Sequence, residues 1–326
     1  MVNHPKSIIN QIIKIRSYSS TTSSVFTRQS LDTLNPWFMT GFTDAEGSFI
    51  IRVRKNSQYK NGWNIAPVFS ITLNSKDTHI LQKFKASLRV GTISKSGKDT
   101  VKFKVESHEQ ILKAIVPHFN KYPLISNKRA DYILWERIIQ LMNDKKHLTL
   151  EGFHEIISIK ASINKGLTDV LKAAFPNIKC VDRPLVVIPE IIAEQWIAGF
   201  TSGDGCFKVL VSKSSSVKVG FQVVLVFQIT QHSRDEILMN KLIYYFSCGS
   251  IEKNSIRHSL DFKVHRFADN YEKIIPFFNQ HNILGEKYKD FKDWCKVAEI
   301  VKSKNHLTIK GLNEIRKIKS RMNTNR

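Results

Sequence analysis

Acidic side chains are scarce in this chain. Its 326 residues hold 28 aspartates and glutamates against 50 lysines and arginines, a formal net charge of +22. A surplus of that size points to a polyanionic partner, because lysine and arginine gain affinity by displacing the counterions condensed on phosphates. Long apolar runs are missing too. No stretch reaches 18 consecutive apolar residues, which argues against a helical membrane span. Cysteine is rare, and Cys180, Cys206, Cys248 and Cys295 form no C-x-x-C pair and no close Cys/His spacing. Neither a zinc site nor a disulfide framework is indicated, and scattered thiols fit a reducing compartment. A hydrophobic content of 42% excludes disorder throughout.

Residues 1–31 contain no acid at all, Asp32 being the first carboxylate. They carry Lys6, Lys14, Arg16 and Arg28, the isoleucines Ile8, Ile9, Ile12, Ile13 and Ile15, and a Ser/Thr-rich stretch at 17–24. Such a composition resembles a mitochondrial transit peptide, which would place the mature protein in the matrix. A disordered basic tail and the remnant of an upstream reading frame are the alternatives. In each case the arm is set apart from the fold.

What is present is a sequence written twice. Around Trp37 it reads W-F-M-T-G-F-T-D-A-E-G, and around Trp196 W-I-A-G-F-T-S-G-D-G. Each copy ends in a carboxylate followed by glycine, Glu46 and Asp204, 158 positions apart. Phe69-Ser70-Ile71-Thr72 recurs as Phe227-Gln228-Ile229-Thr230 at that offset, and His147-Leu148-Thr149 recurs as His306-Leu307-Thr308 at 159. A period this long describes two domain-sized halves rather than a solenoid, whose repeats run about 20–50 residues. The expected division is a first repeat at 32–166, a connection at 167–190 rich in proline (Pro176, Pro184, Pro189), and a second repeat at 191–326.

Each half has the same coarse pattern. Asn35 as N-cap and Pro36 in the first turn predict a helix over Pro36 to Asp44, and its second copy begins after Pro189. Thr40 and Gly41, like Ala198 and Gly199, leave one side of each helix small, so the two helices can pack backbone to backbone and bring their terminal acids together. The period then switches to two: Phe49, Ile51 and Val53 alternate with Ile50, Arg52 and Arg54, and Phe221 to Ile229 alternate with Gln222 to Thr230. Further helices are predicted over Asp77–Leu88, His108–Phe119, Lys128–Met142 and Leu150–Asn164, with counterparts over Asp235–Phe246, Asp269–Phe278, Lys287–Val301 and Ile309–Met322, and a short one over Asp169–Phe175. The fold class is α+β, with two αββαββα halves and half-buried antiparallel sheets.

The wet faces of those strands read either as plain solvent faces or as a nucleic-acid surface. Arginine, lysine and glutamine concentrate there, which favours a groove contact. The candidate DNA-binding residues are Ser48, Ile50, Arg52, Arg54, Ser70, Lys102 and Lys104 in the first half. In the second they are Lys208, Gln222, Val224, Val226, Gln228, Lys263 and His265.

G-F-T-D-A-E-G at 41–47 and A-G-F-T-S-G-D-G at 198–205 resemble the LAGLIDADG motif of homing endonucleases. The resemblance extends over roughly 34–326 and is nearest to the single-chain, two-repeat fungal mitochondrial members, whose paired sheets form a DNA-binding saddle. It implies that the last acid of each motif, Glu46 and Asp204, ligates catalytic metal together with the carbonyls of Ala45 and Gly203. It further implies Mg²⁺, two or three ions, as cofactor and double-stranded DNA as partner. One cut per strand is expected, across the minor groove, leaving short 3′ overhangs. Gln231 is implied as a solvent-organising side chain, with Leu73 as its unlike counterpart. Asp44 faces Ser202 in the other copy and reads as capping or metal-adjacent.

Lys95 and Lys253, which follow the Gly91 and Gly249 turns, are candidates for reaching the scissile phosphates. Lys128 and Lys287, each opening a helix, form the other matched pair and serve equally well as phosphate or surface lysines. His147 and His306 precede Thr149 and Thr308, which are better read as helix N-caps than the histidines as ligands. The function expected is a monomeric, site-specific double-strand endonuclease acting on a long asymmetric site. The alternative is an intron-RNA maturase that needs no cleavage activity.

Overall fold

The computed structural model describes residues 33–323 apart from Lys60. The basic arm at 1–31, with its transit-peptide reading, lies outside the described residues. Asn35 accepts the amide of Trp37 at 2.9 Å and starts α1 (Pro36–Glu46). Then come β1 (Gly47–Lys55), β2 (Trp63–Asn74), α2 (Thr78–Leu88), β3 (Thr92–Lys95), β4 (Thr100–Val105), α3 (His108–Gln110), α4 (Val116–Lys121), α5 (Lys128–Asn143) and α6 (Leu150–Ala161). The connection carries α7 (Asp169–Ala174). The second half repeats the order with α8 (Glu194–Asp204), β5 (Gly205–Lys213), β6 (Phe221–His232), α9 (Glu236–Phe246), β7 (Ser250–Asn254), β8 (Ser259–Val264), α10 (Phe267–Asp269), α11 (Ile275–Gln280), α12 (Glu286–Lys302) and α13 (Ile309–Lys319).

Each half holds one antiparallel sheet, ordered β1-β2-β4-β3 and β5-β6-β8-β7. Helices cover one face of each. The cores are rings of aromatics at matched positions: Phe49, Phe69, Phe103 and Trp135 in one, Phe207, Phe227, Phe262 and Trp294 in the other, all fully buried. Trp135 and Trp294 donate their indole N–H to Ile50 O and Lys208 O, each at 3.1 Å, and pin α5 and α12 to the first strand of their sheet. The step from an offset of 158 to 159 falls within the second hairpin, between Gly249 and Phe262.

Three differences from the predicted boundaries have local causes. The helix expected at 108–119 contains a π turn at Ile111–Ile115, matched by Asn270–Ile274. Pro117 and Pro276 follow, and a proline ring crowds the carbonyl four residues before it, so the ladder widens there. Helix α8 begins at Glu194 rather than just after Pro189, because Ala193 is extended, with φ −65° and ψ 134°. Helix α6 stops at Ala161, short of Asn164, whose φ of 53° is left-handed.

The halves meet along α1 and α8. A Cβ added to Gly41 would lie 2.0 Å from Trp196 O, and one added to Gly199 would lie 2.1 Å from Phe38 O. Only glycine allows this backbone approach. The connection lies over both cores, Leu167, Phe175, Ile178 and Val181 packing on the first and Ile188 on the second. Among the described residues no helix is long and apolar enough to cross a membrane.

Candidate active site and nucleic-acid face

Glu46 ends α1 and Asp204 ends α8, side by side because the two helices cross so closely. Each acid sits at the negative end of a helix dipole and is half-buried, an arrangement that opposes its charge. Burial raises both carboxyls above the usual range. Asp204 is pushed up to about 6, first by burial and then by the neighbouring Glu46. For Glu46, burial is opposed by Lys287 and Lys128 and reinforced by Asp77.

The counter-charges arrive from far along the chain. Lys128, the first residue of α5, donates its ammonium to Thr43 O at 2.9 Å and Ala45 O at 3.2 Å. Lys287, at the start of α12, donates to Gly203 O. Burial lowers both amines, offset by Asp44, Asp204 and Glu46 around Lys128 and by Asp204 and Glu46 around Lys287. These two lysines, read from sequence as phosphate or surface groups, stand at the centre of the site.

The halves are not equivalent here. Gln231 donates its side-chain amide to Asp204, whereas the matching Leu73 is apolar and 9% exposed. A polar cavity of about 450 Å³ opens beside Asp204, lined by Lys128, Gln231, Arg234, Arg257 and His258 among others. Asp44 is a fastening. It is buried and accepts from Ile125 N (3.0 Å), Ser126 Oγ (2.5 Å) and the Trp196 indole (2.8 Å), tying α1 to the turn before α5 and to α8. Ser202 does the same with less: it accepts from Leu284 N at 3.0 Å and donates to Ala198 O at 2.8 Å.

The strand register sorts the remaining candidates. Ser48, Ile50, Arg52 and Arg54 of β1 and Lys102 and Lys104 of β4 share the face opposite the core, as do Lys208, Gln222, Val224, Gln228 and Lys263 in the second sheet. His265 follows β8 on the same face and lies 3.4 Å from Glu252. Acids temper these bases. Glu106 pairs with Arg52 (2.5 Å) and Lys104 (2.8 Å), and Glu252 with Lys263 (2.5 Å).

Three expectations are corrected. Lys95 opposes Val101 and Lys253 opposes Leu260, both core residues, so these lysines point to the helix side of the sheet. Lys253 accordingly pairs with Glu236 of α9 at 2.6 Å. Val226 lies on the face opposite the core but is only 2% exposed, below the neighbouring Lys208, whose amine is drawn to Gln228 at 2.6 Å. Ser70 and Gln228, at 4% and 8%, offer little more surface.

No group of three or more His, Cys, Asp and Glu side chains capable of holding a metal exists among the described residues. Beside His147 and His306, Thr149 and Thr308 cap α6 and α13, accepting from Gly152 N and Gly311 N at 3.1 Å. The donor set at the helix ends nevertheless fits a hard divalent cation. Two carboxylates and the Ala45 and Gly203 carbonyls are oxygen donors already attracting ammonium groups. Such ions complete their shell with water and substrate phosphate.

Residues 39–139 and 197–298 each match the family described as LAGLIDADG endonuclease, and each match begins within a motif helix. The chain belongs to the LAGLIDADG endonuclease family. It carries two repeats of it. The fold agrees with the LAGLIDADG protein I-SmaMI solved bound to cleaved DNA: TM-score 0.88, 51% identity, 90% of this chain and 98% of that one. The same protein on an uncleaved target with calcium ions gives 0.87 at 52% identity, covering 89% and 99%. I-LtrWI bound to target DNA gives 0.87 at 40% identity, covering 89% and 98%. Among LAGLIDADG relatives from Neurospora crassa, "Probable intron-encoded endonuclease 2" is 40% identical over 88% of this chain and "Probable intron-encoded endonuclease 3" 36% over 86%. The chain spans 65% and 53% of their lengths.

Proposed function

We propose that this LAGLIDADG protein is a site-specific homing endonuclease, acting as a monomer on double-stranded DNA and hydrolysing one phosphodiester in each strand. The observation that carries the reading is the pair of half-buried acids, Glu46 and Asp204, on crossed helix ends with Lys128 and Lys287 beside them. Two like charges at the unfavourable ends of two dipoles have no stabilising role in the fold, and a bound divalent cation gives them one.

We infer that Glu46, Asp204 and the carbonyls of Ala45 and Gly203 hold the metal, with Mg²⁺, two or three ions, as the natural choice. Bound there, Mg²⁺ would activate water and neutralise charge on the phosphate. The chain's own groups do the rest. Lys128 and Lys287 bring fixed positive charge to the two scissile phosphates as charge builds on their oxygens. Gln231, hydrogen-bonded to Asp204, orients solvent on one side only.

Arg52, Arg54, Lys102 and Lys104 on one sheet and Lys208, Gln222, Gln228 and Lys263 on the other follow the major groove. Because the two sets differ, the site read should be long and asymmetric. By family resemblance the cuts fall across the minor groove and leave short 3′ overhangs. Fungal intron-encoded relatives support a mitochondrial intron origin, with the two repeats divided at the 167–190 connection.

The test uses purified protein and Mg²⁺ on supercoiled plasmids bearing candidate intronless exon junctions. Linear product is expected from the native chain, and none from Glu46→Gln or Asp204→Asn, both of which should still bind. An absence of cutting across the panel, together with tight binding of the host intron RNA, would instead establish a maturase.

A further inference from the structure

We propose that Asp77 and Asp235 are positioning residues, each fixing the active-site lysine that belongs to the opposite half. The two acids lie 158 positions apart, at the duplication's own offset, and each occupies the N-cap position of a helix, α2 and α9. An aspartate there ordinarily accepts an amide of its own helix. Neither does so here.

Both side chains reach across the pseudo-twofold axis instead. Asp235 Oδ1 accepts the backbone amide of Asn127 at 2.6 Å and its side-chain amide at 3.1 Å, while Arg234 O takes that same Asn127 Nδ2 at 2.6 Å. Asp77 Oδ1 accepts the amide of Glu286 at 2.8 Å. Asn127 immediately precedes Lys128, and Glu286 immediately precedes Lys287. A continuous path therefore runs from a carboxylate of one half, through the amide before the lysine, to the ammonium on the other half's motif carbonyl.

Several features show that the path is built rather than incidental. Asp235 is buried, at 4% exposure. A Cβ on Gly285 would lie 2.6 Å from Asp77 Oδ1, and the φ of +82° there is also one that glycine favours. The first amides of a helix lack partners within it, and a carboxylate placed on them is held by both hydrogen bonding and the dipole. Each long helix that delivers a lysine is thus anchored at the end that carries it. The lysine reaches its place only when the two halves are correctly docked.

The inference rests on the nuclease reading, and its test separates the two. Asp235→Ala and Asp77→Ala are compared with Lys128→Ala and Lys287→Ala on supercoiled plasmid with strand-resolved nicking. Asp235→Ala should slow the same strand as Lys128→Ala, and Asp77→Ala the same strand as Lys287→Ala, by on the order of 10- to 100-fold, the scale of an ångström's misplacement. The other strand should change little. Asp235→Asn and Asp77→Asn, which keep the acceptor oxygen, should restore most of the rate. Equal slowing of both strands, or a match to the lysine of the acid's own half, overturns the assignment.

Reductive methylation of the full chain without DNA, read by peptide mass spectrometry, gives a second readout. Lys128 should react several-fold faster in Asp235→Ala and Lys287 in Asp77→Ala, each without the other. If the native chain cuts nothing, the nuclease reading falls, and the methylation pattern alone decides this one. Unchanged or equally raised reactivities reject it.

Discussion

Compare the interior of each half with the end of its motif helix. The interiors are near copies: Phe49 and Phe207, Trp135 and Trp294, and even the indole bonds at 3.1 Å repeat. Near the helix ends and on the outer sheet faces the copies part. Asp44 stands against Ser202, Glu46 against Asp204, Leu73 against Gln231, Arg52 and Arg54 against Leu210 and Ser212, and Asn64 and Ser70 against Gln222 and Gln228. Close packing penalises a change of even one methylene, so the cores are held alike. Half-exposed groups facing a ligand are under no such constraint. On the proposed function, divergence there would let one scaffold treat two strands, and two half-sites, differently.

That contrast can be tested from its strongest element downward. If the two acids are equivalent despite their different lengths, Glu46→Gln and Asp204→Asn will each reduce the single-turnover cleavage rate on the order of a thousandfold or more. A tenfold gap between them would mean that one half dominates. Asp44 and Ser202 should separate on stability instead. Asp44→Ala strands four buried donors, the amides of Ile125 and Ser126, the Ser126 hydroxyl and the Trp196 indole, and should cost about 3 kcal/mol in urea unfolding, against about 1 kcal/mol for Ser202→Ala. Gln231→Leu makes the second site resemble the first and should slow one strand by about tenfold, a loss of about 1.4 kcal/mol in transition-state stabilisation. Leu73→Gln should narrow the difference from the other side.

Acidity sharpens the comparison further. Asp204 titrates near 6, above its ordinary value, so the folded chain takes up that proton before the unfolded chain does. Its ionised form weakens the metal-free fold above that pH, and the penalty is relieved as pH falls through about 6. The stability gap between the native chain and Asp204→Asn should therefore shrink between about pH 7 and pH 5, as read by urea midpoints. Cleavage should decline over the same interval, since a proton competes with the metal. The smallest effect belongs to the sheets. Arg52→Ala should reduce the salt dependence of DNA affinity by about one unit of slope, while Gln222→Ala should leave the slope unchanged.

Much of this was readable from residue order. The offset located both acids, the Asn35 cap and Pro36 located the first helix, and period-two alternation assigned the faces of β1, β4, β6 and β8. The same rule, applied to the short β3 and β7, would have corrected Lys95 and Lys253. Ile93 and Ile251 face the core, so the residues two positions on share their side. Lys128 and Lys287 were visible as a matched pair, but no local pattern tells that an ammonium reaches a carbonyl 83 to 85 positions away. Asp77 and Asp235 were harder still, since their sequence context is that of ordinary helix caps. Their partners lie 209 and 108 positions off and become neighbours only when the halves dock.

The contact at Gly41 and Gly199 has one more consequence. Because backbone touches backbone there, with 2.0 and 2.1 Å left for any added carbon, the angle and separation of the two motif helices are set by the main chain itself. The molecule carries a fixed caliper. If the chain cuts DNA as proposed, side chains along the sheets can drift and retune which bases are gripped, while the jaw width that would separate the two cuts stays constant. Descendants of this chain should thus change their addresses on DNA far more readily than the stagger of the ends they leave.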